Sequence, residues 1–217
     1  MNELLFIIQT LFVSGSAIFA WTISKEALIA FICLQIIIAN LFVTKLISLF
    51  GYTATGADAF IVGGIIGFHL LQEFYGTEIT KKTIYLSFGL LLFFLAVSHI
   101  HLAYAPSLFD QTNVSAHIIF GNIPRITFAS LTAYFISQQI DVRIFSFLKI
   151  FFSGRFLPLR NFITASISQL IDTILFSFIG LWGIAGSLTS IIFISYSIKI
   201  VSLLIATILI GFIRKSR

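Results

Sequence analysis

Apolar residues dominate seven stretches of this chain, and each stretch is about 20 residues long or longer. An α-helix rises about 1.5 Å per residue, so each stretch can cross a hydrocarbon layer about 30 Å thick. Transmembrane β-strands are about half as long and alternate in polarity, which these stretches do not. The pattern predicts an all-α fold, a polytopic transmembrane helical bundle with spans at Leu4–Ser24, Ala27–Phe50, Gly56–Tyr75, Thr83–Tyr104, Ser115–Gln138, Phe162–Leu181 and Ser187–Ile213.

The composition agrees with a membrane protein. Of the 217 residues, 59% are hydrophobic and 10% are charged, whereas a soluble domain has about 25% charged residues. A disordered chain is excluded because disorder requires low hydrophobicity. The length fits one transmembrane domain over residues 1–217. Cys33 is the single cysteine and the four histidines lack a metal-binding spacing, so we expect no internal disulfide, metal or other cofactor.

Basic residues are distributed asymmetrically over the loops, which predicts an orientation. Cytoplasmic loops collect Lys and Arg, so the net charge of +5 indicates topology rather than a nucleic-acid partner. Seven spans, with the N-terminus outside and the C-terminus cytoplasmic, satisfy every loop; six spans, with the first stretch on the surface, is the alternative. In the seven-span arrangement one set of loops holds ten of the 13 basic residues: Lys25, Lys81, Lys82, Arg143, Lys149, Arg155, Arg160, Arg214, Lys215 and Arg217.

Charged residues inside the apolar stretches are the main functional signal. Each costs about 2.5–3.5 kcal/mol at the centre of a membrane helix, so such residues normally face a cavity or a partner. Counting along the helices places three of them near the midplane, Lys45 nearer the outer side and Glu73 near the cytoplasmic end. Asp58, at the outer end of its stretch, is expected to be interfacial. The five charged residues are Lys45, Glu73, Arg125, Asp172 and Lys199.

Uncharged polar residues accompany these charges on the same helix faces. Gln169 lies three residues before Asp172, and His69 lies four residues before Glu73. Carboxylate, ammonium and carboxamide groups among aromatic rings suit a flat, polar heterocycle, although amino acids or vitamins would also fit. The structural alternative is that Asp172 only neutralises Lys199 or Arg125. The chain lacks the phosphate-binding, GxSxG and HExxH motifs, so a membrane-embedded enzyme is the weaker hypothesis.

Five blocks of the sequence carry a family resemblance. They include Glu73-Phe-Tyr-Gly76, which is similar to a Glu-x-Tyr-Gly motif, and Ser168-Gln-Leu-Ile-Asp172-Thr, the strongest match. In order along residues 38–207 the blocks resemble the queuosine precursor transporter family, also called the vitamin uptake transporter family. They are Ile38–Thr55, Glu73–Lys82, Pro124–Val142, Leu159–Phe176 and Ser195–Lys199.

The resemblance implies uptake of 7-deazaguanine bases (preQ0, preQ1 or queuine) across the inner membrane for tRNA modification. It also implies a fold similar to the substrate-binding subunits of vitamin importers, working without a dedicated ATPase. The alternative is such a subunit within a multi-component importer. The expected partners are the small-molecule base and membrane lipid, and a homo-oligomer is an open alternative. Carried over by position, the substrate-binding residues are Asn40, Lys45, His69, Glu73, Arg125, Asn161, Gln169, Asp172 and Lys199.

Two positions depart from the family pattern. His69 and Ala206 occupy positions where family members usually carry aspartate. A carboxylate favours a substrate with a cationic aminomethyl group, whereas a histidine does not at neutral pH. The hypothesis from the sequence is therefore a shifted substrate preference, toward a bulkier base such as queuine.

Overall fold

The computed structural model describes residues 1–43, 45–121, 124–183 and 188–213. Seven helices of 18 or more residues lie in this part of the chain, one for each apolar stretch, together with the short helix α5. The predicted all-α membrane bundle is confirmed. The helices are α1 (Asn2–Ile23), α2 (Lys25–Phe42), α3 (Asp58–Tyr75), α4 (Thr77–Leu102), α5 (Asn113–Phe120), α6 (Pro124–Phe151), α7 (Leu157–Phe176) and α8 (Leu188–Ile213).

Five of the described helices are long and apolar enough to cross a membrane: α1, α2, α4, α7 with the π-helical turn that extends it (Ser177–Leu181), and α8. Helices α3 and α6 are also long, but neither contains 18 consecutive residues that are as apolar as the segments found in these five. Most of α3 is buried, and it packs against α1, α2, α4, α7 and α8. A helix surrounded by other helices needs no lipid-facing apolar surface, which explains its polarity. The count of seven spans therefore stays a prediction.

Glycines allow the close packing of α3 against its two N-terminal neighbours. A Cβ atom on Gly63 would lie 2.1 Å from Val13 Cγ1 of α1. On the next turn, a Cβ atom on Gly67 would lie 2.7 Å from Ile32 Cγ1 of α2. Both distances are far below van der Waals contact, so these positions require glycine while α1 and α2 keep this approach.

The second apolar stretch does not form one helix to Phe50, and this boundary prediction is wrong. Helix α2 ends at Phe42, and the following residues form an antiparallel hairpin of β1 (Leu46–Leu49) and β2 (Tyr52–Thr55). Phe50 (φ 51°) and Gly51 (φ 81°) make its two-residue turn, as in a type I′ hairpin. The hairpin pairs backbone groups that a broken helix would otherwise leave unpaired.

The fifth apolar stretch is also interrupted, so the prediction of one helix over Ser115–Gln138 is wrong. Helix α5 ends at Phe120, and α6 starts afresh at Pro124, a residue that fits the first turn of a helix because it lacks an N–H group. Helix α6 then continues to Phe151, well past the predicted end. Several polar residues expected in a cytoplasmic loop are therefore helical.

Candidate functional site: a polar cavity between five helices

A cavity of about 160 Å³ lies between α2, α3, α6, α7 and α8. A cavity of about 150 Å³ is large enough to hold benzene, so this one has the scale of a small ring compound. Its walls mix aliphatic and aromatic groups with hydroxyl, carboxamide and charged groups. The polar lining residues are Gln35, Asn40, Asp58, Ser130, Tyr134, Ser137, Gln138, Gln169, Asp172, Thr173, Ser177, Ser195 and Lys199.

An ion pair between α7 and α8 forms part of the wall. Lys199 Nζ donates to Asp172 Oδ2 at 2.8 Å and to Thr173 Oγ1 at 3.1 Å. The side chains of Lys199 and Asp172 are 8% and 19% exposed, so the pair is largely shielded but still reaches the cavity. Gln169, Asp172, Thr173 and Phe176 follow helical spacing, which brings all four to the cavity face of α7.

Several lining side chains have hydrogen-bonding capacity that the described residues do not use. The buried side-chain oxygens of four lining residues have no hydrogen-bond partner in the described part of the chain. They belong to Gln35, Gln138, Gln169 and Ser177. An unsatisfied buried polar atom costs about 1–3 kcal/mol, so native proteins keep few of them without a reason. Four such atoms around one cavity indicate a site for a polar guest.

His69 and Asn161 lie outside this cavity, in a separate buried network with Asp141 of α6. His69 Nε2 is 2.7 Å from Asp141 Oδ1, and His69 Nδ1 contacts Asn161 Oδ1. Ser168 Oγ donates to Asp141 Oδ2 at 2.7 Å, while the His69 ring stacks on Phe145 with 4.5 Å between centroids. The network joins α3, α6 and α7 on the side of the cavity that faces the loops with the basic residues.

Glu73 also lies outside the cavity, in an ion cluster one turn further along α3. The guanidinium of Arg160 donates to both Glu73 carboxylate oxygens, at 3.1 and 2.9 Å, and Lys149 Nζ lies 3.1 Å from Oε2. Arg160 is fully buried and also donates to the carbonyl oxygens of Arg155 and Gly154. Residues from α3, α6 and the start of α7 are therefore joined at this end of the bundle.

Two further predicted site residues remain. Lys45 is exposed and immediately precedes β1. Arg125 lies in the first turn of α6, and its side chain is outside the described part of the structure. The structure thus brings four of the nine predicted residues to one cavity, namely Asn40, Gln169, Asp172 and Lys199.

Sequence reasoning missed three charged residues that matter here. Asp58 lines the cavity and is 5% exposed, although it is not among the nine predicted site residues. Asp141 and Arg160 are 1% and 0% exposed, although neither is among the predicted site residues and Arg160 is counted with the cytoplasmic loops. The sequence did contain a clue that Asp141 and Arg160 matter, because both belong to the blocks that carry the family resemblance.

Comparison with known proteins identifies the family. Residues 59–213 match the family model described as "Putative vitamin uptake transporter". The chain belongs to the vitamin uptake transporter family. A relative from Bacillus subtilis (strain 168), named "Probable queuosine precursor transporter", is 36% identical over 182 residues, which are 82% of this chain and 76% of that protein. No solved structure matches the chain.

The family membership confirms the resemblance found in the sequence. Together with the five apolar helices, it makes this member of the vitamin uptake transporter family a multi-pass membrane protein. The implied likeness to substrate-binding subunits of vitamin importers stays a prediction. The matched region covers α4–α8 and nearly all of α3, whereas Asn40, Lys45 and Asp58 precede it.

Proposed function

We propose that this chain imports queuosine precursors, which are 7-deazaguanine bases, across the inner membrane as a single domain of 217 residues. The name of the Bacillus subtilis relative supports the substrate class. The observation that carries the proposal is the polar cavity, in which the Asp172–Lys199 pair lies among carboxamide and hydroxyl oxygens that have no partner among the described residues.

The cavity offers groups that complement the polar edge of a guanine-like base. A carboxylate accepts hydrogen bonds from adjacent N–H donors, as Asp172 can do for the amide and amino groups of such a base. Lys199, or a carboxamide such as Gln169, can donate to the carbonyl oxygen of the base. The ring of Phe176 supplies an apolar surface for the flat face of the base. Asp172 and Lys199 would exchange part of their mutual contact for contacts with substrate.

Transport requires that the cavity open alternately to the two sides of the membrane. With the basic loops in the cytoplasm, the β1–β2 hairpin lies on the outer side and the cavity lies in the outer half of the bundle. The His69–Asp141–Asn161 network and the Glu73–Arg160–Lys149 cluster then form the inner closure. Release of substrate to the cytoplasm would require α3 to separate from α6 and α7 there.

The proposal includes three narrower statements. The chain changes no covalent bond in its substrate, so it is a transporter and not an enzyme. Its partners are the small-molecule base and the surrounding lipid, with no nucleic acid. It works without a dedicated ATPase subunit.

Complementation tests the function. Cells that lack both queuosine synthesis and precursor import would express this chain and be fed preQ0, preQ1 or queuine in turn, with queuosine in tRNA as the readout. We expect queuosine to form with at least one base, and Asp172→Asn to reduce it by about tenfold or more at equal protein level. Asp110→Asn is the matched control, since Asp110 lies in an exposed loop. Absence of queuosine with all three bases would refute the proposed function.

A further inference from the structure

Asp58 is a buried carboxylate that the cavity chemistry described so far does not use. It is the first residue of α3, it is 5% exposed, and it lines the cavity. No described residue donates a hydrogen bond to its carboxylate. A carboxylate that only favours the positive end of a helix dipole has no need to be buried, and burial of an unpaired charge is costly.

The β1–β2 hairpin packs beside the start of α3, next to Asp58. Gly56 N donates to Lys45 O at 2.8 Å, which ties the end of the hairpin to its start, beside the end of α2. Leu49 of β1 is fully buried and packs with Ala59 of α3 and Ile198 of α8, the chain neighbours of Asp58 and Lys199. The fold thus places Asp58 inside the bundle at the hairpin end of the cavity.

The charges around the cavity do not balance within the described side chains. Asp172 and Lys199 neutralise each other at 2.8 Å. Across the cavity Lys199 attracts Asp58 while Asp172 repels it, so the second carboxylate has no cation of its own among the described lining residues. One negative charge is left over, and a cationic group on the substrate would compensate it.

We propose that Asp58 binds a protonated amine on the substrate, so that the site selects 7-deazaguanine bases with an aminomethyl arm over uncharged ones. This inference rests on the proposed function and specifies its substrate class. It also changes the hypothesis drawn from His69, because His69 lies outside the cavity and Asp58 supplies the carboxylate that position 69 lacks. The amine arm would point toward the hairpin, and the base edge would face Asp172 and Lys199.

The test compares uptake of preQ1, which carries the amine, with uptake of preQ0, which carries a neutral nitrile. In Asp58→Asn we expect preQ1 uptake to fall about tenfold more than preQ0 uptake, the loss expected for one charge-assisted hydrogen bond. Asp58→Glu, which restores the charge, should recover the preference for preQ1, and Asp110→Asn should leave both uptakes unchanged. An unaltered preQ1/preQ0 ratio in Asp58→Asn would overturn the assignment.

A second measurement needs no variant. The 7-hydroxymethyl analogue replaces the ammonium group of preQ1 by a hydroxyl, and we expect it to compete for uptake by the unaltered protein about tenfold less well than preQ1. Equal competition would overturn the proposal, whatever the Asp58 variants do. Failure of the unaltered protein to transport any base would reject the proposed function itself, whereas uptake without amine preference would reject only the role of Asp58.

Discussion

The contact between Asp172 and Lys199 connects α7 to α8 at the wall of the cavity. Two roles are compatible with such a pair: neutralising charge to hold the helices together, or presenting a donor and an acceptor to substrate. The two roles differ in what happens when both charges are removed. A pair that is merely structural can be replaced by uncharged residues with little loss, whereas a binding pair cannot.

The first prediction separates these roles. Asp172→Asn leaves the more distant Asp58 as the described carboxylate nearest to Lys199, so we expect the free energy of unfolding to fall by about 1–3 kcal/mol. The double variant Asp172→Asn/Lys199→Met removes both charges and should recover most of that loss without recovering uptake. Thermal unfolding in detergent and precursor uptake would measure the two effects. Uptake restored together with stability would assign the pair a structural role.

A second prediction at the residue scale concerns Glu73. Glu73→Gln leaves the fully buried Arg160 without its carboxylate, which should destabilise the protein by about 3 kcal/mol. Glu78→Gln is the matched control: the Glu78 side chain is 81% exposed and pairs with Lys81 on the surface, so we expect a change below about 0.5 kcal/mol. The comparison uses unfolding in the same detergent. Equal effects of the two variants would argue against a buried ion cluster.

Part of the site could be predicted from single residues. Asp172 and Lys199 stand out because a charge in an apolar stretch is costly, and the structure places them in one cavity. Arg160 could not be recognised in this way, because it lies outside the apolar stretches and its pairing with Glu73 joins residues far apart in the chain. Asp58 was missed because its burial depends on how α3 packs among the other helices, which counting residues along a helix cannot reveal.

At the scale of elements, glycine contacts hold α1 and α2 against α3. We predict that Gly63→Ala destabilises the protein by about 1–3 kcal/mol, because the new methyl group would lie 2.1 Å from Val13 Cγ1. Gly89→Ala in α4 is the control, since nothing lies within 4 Å of the added Cβ atom, and it should be neutral or slightly stabilising.

A compensating variant sharpens this test. Val13→Ala should relieve the clash in Gly63→Ala, so that the double variant is more stable than Gly63→Ala alone. The apparent midpoint of thermal unfolding would measure each step. If Gly63→Ala unfolds at the same temperature as Gly89→Ala, the close approach of α1 to α3 is incorrect.

The elements themselves were predictable to different degrees. Length and hydropathy indicated each of the seven long helices, because in lipid a long apolar segment can pair its own backbone N–H and C=O groups only as a helix. The high hydropathy also concealed the interruptions of the second and fifth apolar stretches. Leu46–Leu49 is as apolar as the helix before it, and only Gly51 and the nearby threonines favour a turn and strands. Pro124 marks the start of α6, but a proline also occurs within kinked membrane helices.

At the scale of the whole molecule, the proposed orientation places the β1–β2 hairpin and the loop before α5 outside, and the loop between α6 and α7 in the cytoplasm. Cys33 is buried, so Cys33→Ala provides a background for single-cysteine labelling. In intact cells, a membrane-impermeant maleimide should label Ser107→Cys, in the loop before α5, but not Ser153→Cys, in the loop after α6. The opposite labelling would invert the topology and place the cavity on the cytoplasmic side.

The central claim is that this chain alone carries a 7-deazaguanine base through the cavity between α2, α3, α6, α7 and α8. The most direct measurement is uptake of radiolabelled preQ1 by vesicles that contain only the purified protein. We predict uptake that saturates with preQ1 concentration and that falls about tenfold or more in Asp172→Asn reconstituted to the same density. No uptake above that of protein-free vesicles, or equal uptake by the two proteins, would contradict the claim.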